Sequence, residues 1–393
     1  MKFDSQTYRL TDKGKFGNIA FIIGIIGLAL SVYGWFTDSQ QFYFSYLTAF
    51  VFWMTIALGG LFFVLLHHLV NAKWSVVIRR FGESLMMTIP FMLILFIPVL
   101  IGIKEIFPWS DTQAVATDHL LQQKSSFLNA PFFIVRTLVY FCVWIVLALL
   151  LNKLSMQQNV AATLEQIRKT RIIGAIGMIL FAVTMTFAAF DWLMSLDPHW
   201  YSTIFGVYVF AGSFLAMLAL TIFVIIVLQK CGTLTECITG EHYHDLGKLT
   251  FAFVVFWGYM AFSQYLLIWY GNIPEETIWF LHRWEGSWKI LTLVLVFGHF
   301  IVPFFILFPQ TAKRSKAVMT VMSIWILIMH RIDIYWITMP TLHHHGIHFS
   351  WIDATACMGI GGIFLGIFWR FLSSHPLVPV NDPNLKKSIE FVS

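Results

Sequence analysis

Ten apolar runs, each about long enough for a helix to cross a bilayer, constrain this chain more than any other feature. They lie at 17–37, 43–66, 84–103, 131–151, 172–195, 203–229, 249–271, 288–309, 317–339 and 350–372. A spanning helix takes roughly 20 mainly apolar residues, and only helices and closed barrels satisfy their own backbone polar groups in hydrocarbon. The sequence therefore predicts an all-α integral membrane protein with about ten transmembrane helices. Charged residues make up 11% of the chain and mean hydropathy is +0.76. A soluble domain carries roughly 25% charged residues, so a water-soluble enzyme is excluded. The polar stretches at 104–130, 152–171 and 230–248 are too short for a soluble domain. The first of them is long enough for a short surface helix or an Ω-type loop.

Basic residues set the orientation. With the N-terminus inside, nineteen Lys and Arg fall in inner segments, and only Lys104, Lys124, Arg283 and Lys289 fall in outer ones. This asymmetry predicts both termini in the cytoplasm and makes the pI of 8.9 a topology signal, not a nucleic-acid footprint. The polar N-terminal stretch leads into a full-length apolar run, which reads as a retained first helix. Pro90, Pro98 and Pro303 fall inside runs and are expected to kink them. Gly361-Gly362-Ile363-Phe364-Leu365-Gly366 lacks the strand context of a nucleotide-binding turn and reads as small-residue helix packing.

Ionisable groups in a bilayer are costly and face a bundle interior or a water-filled cavity. The candidates are Arg136, Asp191, Arg331, Asp333 and Asp353 toward the outer side, His299 and His330 near the middle, and His67, His68 and Glu83 at inner helix ends. Asp333 follows His330 by three positions, and Tyr335 follows Arg331 by four, so each pair shares a helix face. Thr184, Phe187 and Asp191 form one stripe. Two readings fit these residues. One is a proton-handling pocket beside an apolar slot, because quinol oxidation needs two proton acceptors and His with a carboxylate suits that role. There Trp192, Trp336, Tyr335 and Phe190 are the candidates to contact a flat ring. The other is structural, with either Asp paired to Arg136 or Arg331 and the His making interhelical hydrogen bonds.

Cys142, Cys231, Cys237 and Cys357 are scattered, with no CxxC or CxxCH spacing. The chain is therefore expected to carry no covalent haem or iron–sulfur cluster of its own. His299 with His330 is the sole mid-membrane pair for a non-covalent haem, a reading the residues favour less. The loop His343-His344-His345-Gly346-Ile347-His348 resembles a metal site on composition alone. An interface with another subunit accounts for it equally, and no metal ligand is assigned.

A step of four helices lays runs two to five over runs six to nine. In that overlay Asp191-Trp192 and Asp333 to Trp336 both sit near outer helix ends, with Pro and His just beyond. The overlay predicts a single membrane domain, 1–393, built from four-helix bundles at 43–195 and 203–339, with 17–37 and 350–372 peripheral. Chance similarity between apolar helices is the alternative.

The run from Phe190 through Asp197-Pro198-His199-Trp200-Tyr201 to Thr203 resembles a signature of the membrane subunits of alternative complex III. The run Gln264-Tyr265-Leu266-Leu267-Ile268-Trp269-Tyr270-Gly271-Asn272-Ile273-Pro274-Glu275-Glu276-Thr277 is similar to another motif of that NrfD-like, polysulfide-reductase-type family. The resemblance covers essentially the whole chain, and its length and short tail are more similar to the F-type than to the C-type subunit. It implies a bacterial inner membrane, menaquinone or another quinone as substrate, and a homologous NrfD-like partner. Iron–sulfur and multihaem cytochrome c subunits would carry the electrons toward a carrier or terminal oxidase. It also implies a proton-conducting, quinone-binding or bracing role, with Glu83, His67 and His68 as one half-path and His299, His330, Asp333 and Asp191 as the other. From a different class, a secondary transporter with an intramembrane acidic site also fits ten helices. A green fluorescent protein fused after Ser393 is expected to fluoresce in bacterial cells, and an alkaline phosphatase fused in 104–130 to be active. The opposite pair of results would reverse the orientation.

Overall fold

In the computed structural model, which describes residues 8–10, 14–158 and 163–391, ten helical segments are long and apolar enough to cross a membrane. They are α1 (Lys15–Thr37), α2 (Ser39–Val70), α3 (Arg79–Ile101), α4 (Ala130–Gln157), α5 (Glu165–Leu196), α6 (Phe205–Lys230), α7 (Gly240–Gly271), α8 (Trp288–Leu307), α9 (Lys316–Thr341) and α10 (Trp351–Ser374). No strand occurs among the described residues. Each apolar run corresponds to one span. Several helices outlast their runs because caps let them continue through polar turns. Asp38 accepts from the Gln41 N–H to start α2, Asn71 closes it in the left-handed region (φ 50°), and Thr163 with Gln166 forms a capping box before α5.

Prolines act where the sequence placed them. Span α3 is broken into Arg79–Met86, Ile89–Leu95 and Ile97–Ile101, with Pro90 and Pro98 each in the first turn of a new piece. In α8 the helix widens to a π-helix over Leu295–Ile301. Pro303 has no N–H to offer the His299 carbonyl, which removes one rung of the ladder there.

Helices α2 and α6 form the centre. They pack on each other, and around them α2 meets α3, α5 and α10 while α6 meets α5, α7 and α9. Helix α1 lies outside, presenting Ile19, Ile22, Ile23, Ile25 and Ile26 outward and Ala20, Gly24, Gly27 and Ser31 toward α10. The crossing is close: a Cβ on Gly27 would lie 2.5 Å from the Gly359 nitrogen, and one on Gly362 2.4 Å from the Gly24 nitrogen. Small residues on both helices let the backbones approach, as membrane helix pairs require.

The Leu377 N–H donates to the Tyr8 carbonyl (2.9 Å), so the segments before α1 and after α10 share one face, called proximal below. There the C-terminal segment crosses the bundle: Ser388 Oγ donates to the Trp74 carbonyl, and the Ser388 carbonyl meets His242 Nε2 at 2.9 Å. The distal face carries 102–130, with short helices at Thr112–Thr117 and His119–Lys124 as the surface-helix expectation had it, and the helix Pro274–His282. Gly286 turns there with φ 52°, where a Cβ would strike the His345 carbonyl oxygen at 2.3 Å. Replacing Gly27 with Leu should lower stability in detergent by about 1–3 kcal/mol. An unfolding midpoint unchanged from wild type would contradict the close crossing.

Candidate functional site

The mid-helix groups collect among α6, α7, α8 and α9, with α2 packed against α6 and α9. Asp333 on α9 is buried. Tyr208 of α6 donates its hydroxyl to Oδ1, and Trp257 of α7 donates Nε1 to Oδ2 at 3.1 Å. Among the described residues no Lys, Arg or His lies within ion-pair distance of Asp333. Its donors are neutral, so this is a carboxylate that can take up and release a proton without breaking an ion pair. On the other side of Trp257, the His299 ring stacks at 4.0 Å between centroids. His299 sits inside the π-helix, and neither ring nitrogen has a hydrogen-bond partner among the described residues. Such bulges occur often at functional sites.

His330 does what one of the two sequence readings expected: its Nε2 meets Thr55 Oγ1 at 2.9 Å. The Thr55 hydroxyl also reaches the Phe52 carbonyl (2.8 Å), and a proton on His330 Nε2 lets both bonds form at once. The Nδ1 atom is left without a partner. Thr55 belongs to a polar stripe on α2 that continues distally. Thr48 bonds Thr338 (2.8 Å), Ser45 donates to Asp353 (2.6 Å), Gln41 donates to Ser45 (2.9 Å) and His343 donates to Gln41 (2.7 Å). Burial pulls the His343 imidazole below its ordinary pKa, helped by His348 nearby. Among the described residues no three His, Cys, Asp or Glu are grouped to hold a metal, and from the His-rich loop His343 joins the group formed by Gln41, Ser45 and Asp353.

A cleft of about 790 Å³ opens beside Asp333. Its inner wall is Tyr208 and Trp257, the same two side chains that hold the carboxylate. Phe262, Tyr265, Trp269, Phe280 and Phe300 make its aromatic sides, and Gln264, Asn272, Thr277 and Thr292 give a few polar points. The volume, the apolar lining and the sparse polar groups fit a small-molecule site, for which roughly 300–1,000 Å³ is usual. Arg283 closes the distal end. It is buried against Trp279 (3.5 Å to the ring) and donates to the carbonyls of Trp279, Trp336 and Ile337. Burial lowers its pKa to about 9 against the pull of Asp197 and Tyr208, and it stays charged at neutral pH. The runs 190–203 and 264–277 touch beside this cleft, where Ser202 donates to Gln264 (3.1 Å), and Trp200 stacks on Trp279, two residues beyond the second run, at 4.3 Å.

Asp191 is different. Arg136 grips it with two hydrogen bonds of 2.8 Å, Tyr140 adds a third of 2.7 Å, and the guanidinium also rests on Phe127 and Phe132. The structural reading holds for this pair, and Asp191 does not join Asp333. Of the expected stripe on α5, Thr184 and Asp191 face inward, but Phe187 is 40% exposed and points away, since three positions advance a helix by less than one turn. Arg331 does not reach Asp333 and lies 5.9 Å from the Tyr335 ring, whose hydroxyl bonds the His348 carbonyl. Of the four aromatic residues expected to touch a ring, Trp336 lines the cleft, whereas Trp192, Phe190 and Tyr335 lie elsewhere. The overlaid helix pairs do share one contact. Trp192 donates to Thr137 of α4 (3.2 Å), and Trp336 donates to Thr292 of α8 (2.9 Å).

The proximal candidates form a separate cluster. Glu83 lies between Arg79 (2.9 Å) and Arg80 (2.6 Å) and accepts from Ser155 (2.6 Å), while His67 bonds Ser75 (2.8 Å). Twelve residues of α2 separate His67 from Thr55, about 18 Å of helix. The intervening Leu58, Leu61, Phe63, Val64 and Leu65 are buried and apolar. The two expected half-paths are thus not joined by side-chain hydrogen bonds along α2.

Neither a scan against protein-family models nor a search of curated proteins finds a match for the chain. The contrast between the two acids is testable without knowing the reaction. Asp191→Ala strands a buried guanidinium and should cost about 3–5 kcal/mol. Asp333→Asn strands no cation and should cost under half as much, as read from unfolding midpoints of the two variants. Equal losses would contradict the assignment.

Proposed function

We propose that this chain is a membrane subunit of a quinol-oxidising respiratory complex of the alternative complex III type, F-like by resemblance, and that the cleft between α7 and α8 receives the quinone ring. The observation that carries the reading is the double use of Tyr208 and Trp257, which line an aromatic cleft on one side and hold Asp333 on the other. The two sequence runs that resemble family signatures touch beside that cleft through Ser202 with Gln264. In this reading α2–α5 and α6–α9 are the two four-helix bundles, back to back through α2 and α6. Helices α1 and α10 are peripheral, both ends lie in the cytoplasm, and the membrane is a bacterial inner membrane.

Oxidising a quinol to a quinone breaks two O–H bonds and releases two protons and two electrons. This chain holds no acceptor for the electrons among its described residues, and an iron–sulfur or haem centre of a partner subunit would supply one. Tyr208 accepts a proton from the ring hydroxyl as it gives its own to the Asp333 carboxylate, and His299, stacked on Trp257, is the second acceptor within the same group of helices. His330 bonds Thr55, the proximal member of the polar stripe on α2, whose Thr48, Ser45 and Gln41 lie further toward the distal face, each with a partner of its own. Flat aromatic walls suit a quinone ring because offset stacking adds to apolar burial.

A photoactivatable naphthoquinone added to native membranes should label peptides from 257–301, and the chain should co-purify with haem-absorbing partners. Asp333→Asn should slow quinol-dependent electron transfer by about a hundredfold or more, the lower part of the range for losing a general base. Purification of the chain alone, with no label in 257–301, would instead favour a transporter.

A further inference from the structure

A second pocket lies at the opposite end of the molecule and does not depend on the reading above. At the proximal face, the C-terminal end of α2, the start of α3, the start of α5 and the C-terminal segment enclose a cavity of about 50 Å³. That is several times the roughly 10–15 Å³ needed to admit one water. His68, Asn71, Arg79, Thr170, Arg171 and Asp382 line it.

The donors here exceed the acceptors. Arg79 is 2% exposed; its Nε faces Glu83 and its Nη1 meets Asp382 at 2.8 Å, but its Nη2 has no partner. His68, 7% exposed, likewise has an Nε2 without a partner. Asp382 is already engaged, by Arg79 on one oxygen and by the Asn384 N–H on the other. Arg80 shares Glu83 with Arg79. Three guanidiniums, from Arg79, Arg80 and Arg171, therefore stand against two carboxylates, from Glu83 and Asp382, which leaves one positive charge with the imidazoles neutral. A buried donor without an acceptor costs about 1–3 kcal/mol, and more on a charged group. An anion that filled the cavity would remove that cost.

We infer that this cavity is a binding site for a singly or doubly charged phosphate group. A tetrahedral oxyanion offers acceptors in several directions to Arg79 Nη2, His68 Nε2 and Arg171 together, and guanidinium–phosphate pairing is among the strongest charge-assisted contacts. The pocket opens among spans at the face where the segments before α1 and after α10 lie and where the basic loop residues concentrate. Basic pockets between spans at such a face hold anionic lipid head groups. The shared chemistry is the phosphate, and its source is a lipid head group or the free ion.

The test uses the full-length protein in detergent with two probes, phosphatidylglycerol and inorganic phosphate, phosphatidylcholine and chloride being the controls. The variants are Arg171→Ala, whose side chain is exposed and not needed for folding, and His68→Asn. Native mass spectrometry should show phosphatidylglycerol retained on the wild type in preference to phosphatidylcholine. Retention should fall about tenfold in Arg171→Ala, as expected for one charge-assisted hydrogen bond. If phosphate instead raises the unfolding temperature of the wild type but not of the variants, with no lipid preference, the site takes the free ion. Wild type and both variants that respond alike to both probes overturn the site.

Discussion

The structure depends on how a protein in an apolar medium keeps its charges. Each ionised side chain in a span needs a partner close by, because the low dielectric that penalises a lone charge also strengthens a paired one. Asp191 has Arg136 and Tyr140, and Glu83 has Arg79, Arg80 and Ser155. These pairings tie α5 to α4 and the start of α3 to α4. Asp333 departs from the pattern, with two neutral donors and no cation. A group held in that way contributes less to holding helices together and more to proton exchange. This difference, and not the mere presence of an acid in a span, singles out the α6–α9 region.

The same region has an irregular helix. Pro303 withholds a donor, the π-helix admits an extra residue per turn, and His299 is placed beside Trp257 with neither nitrogen bonded among the described residues. Around it, Gly258 and Gly298 leave room for Phe300 and Met329 to come close. The irregular backbone therefore stands where the cleft meets the buried acid, and it is covered by protein on the α9 side, as membrane-embedded irregular backbone must be. The polar stripe on α2 serves the same centre from behind, since α2 is enclosed almost throughout its length and can carry Thr, Ser and Gln only if each finds a partner on α9 or α10.

Much of this was legible in the residues. Apolar runs marked the ten spans, prolines marked the breaks in α3 and the distorted stretch of α8, and the rarity of charge made Asp191, Asp333, His299 and His330 stand out. Tyr208 and Trp257 were not legible. Each lies in an aromatic-rich run among many similar residues, and nothing in spacing separates a ring that hydrogen-bonds an acid from one that faces lipid. Gln41, Ser45, Thr48 and Thr55 were missed because a stripe on a wholly buried helix shows no amphipathic contrast. The choice between ion pair and proton site for Asp191 and Asp333 was left open because both sit in the same local context, an acid near a Trp at a helix end.

The sequence alone determined that the chain is helical and of a length to span a membrane ten times, because apolar run length and the demand for satisfied backbone groups act locally, one segment at a time. It also determined where helices must bend. Only the tertiary structure decided which acid meets an arginine and which meets a tyrosine and a tryptophan, and that an aromatic cleft lies against the second. Those outcomes depend on which helix is neighbour to which and at what rotation, and in a chain whose helices are apolar all round, packing between distant segments sets both.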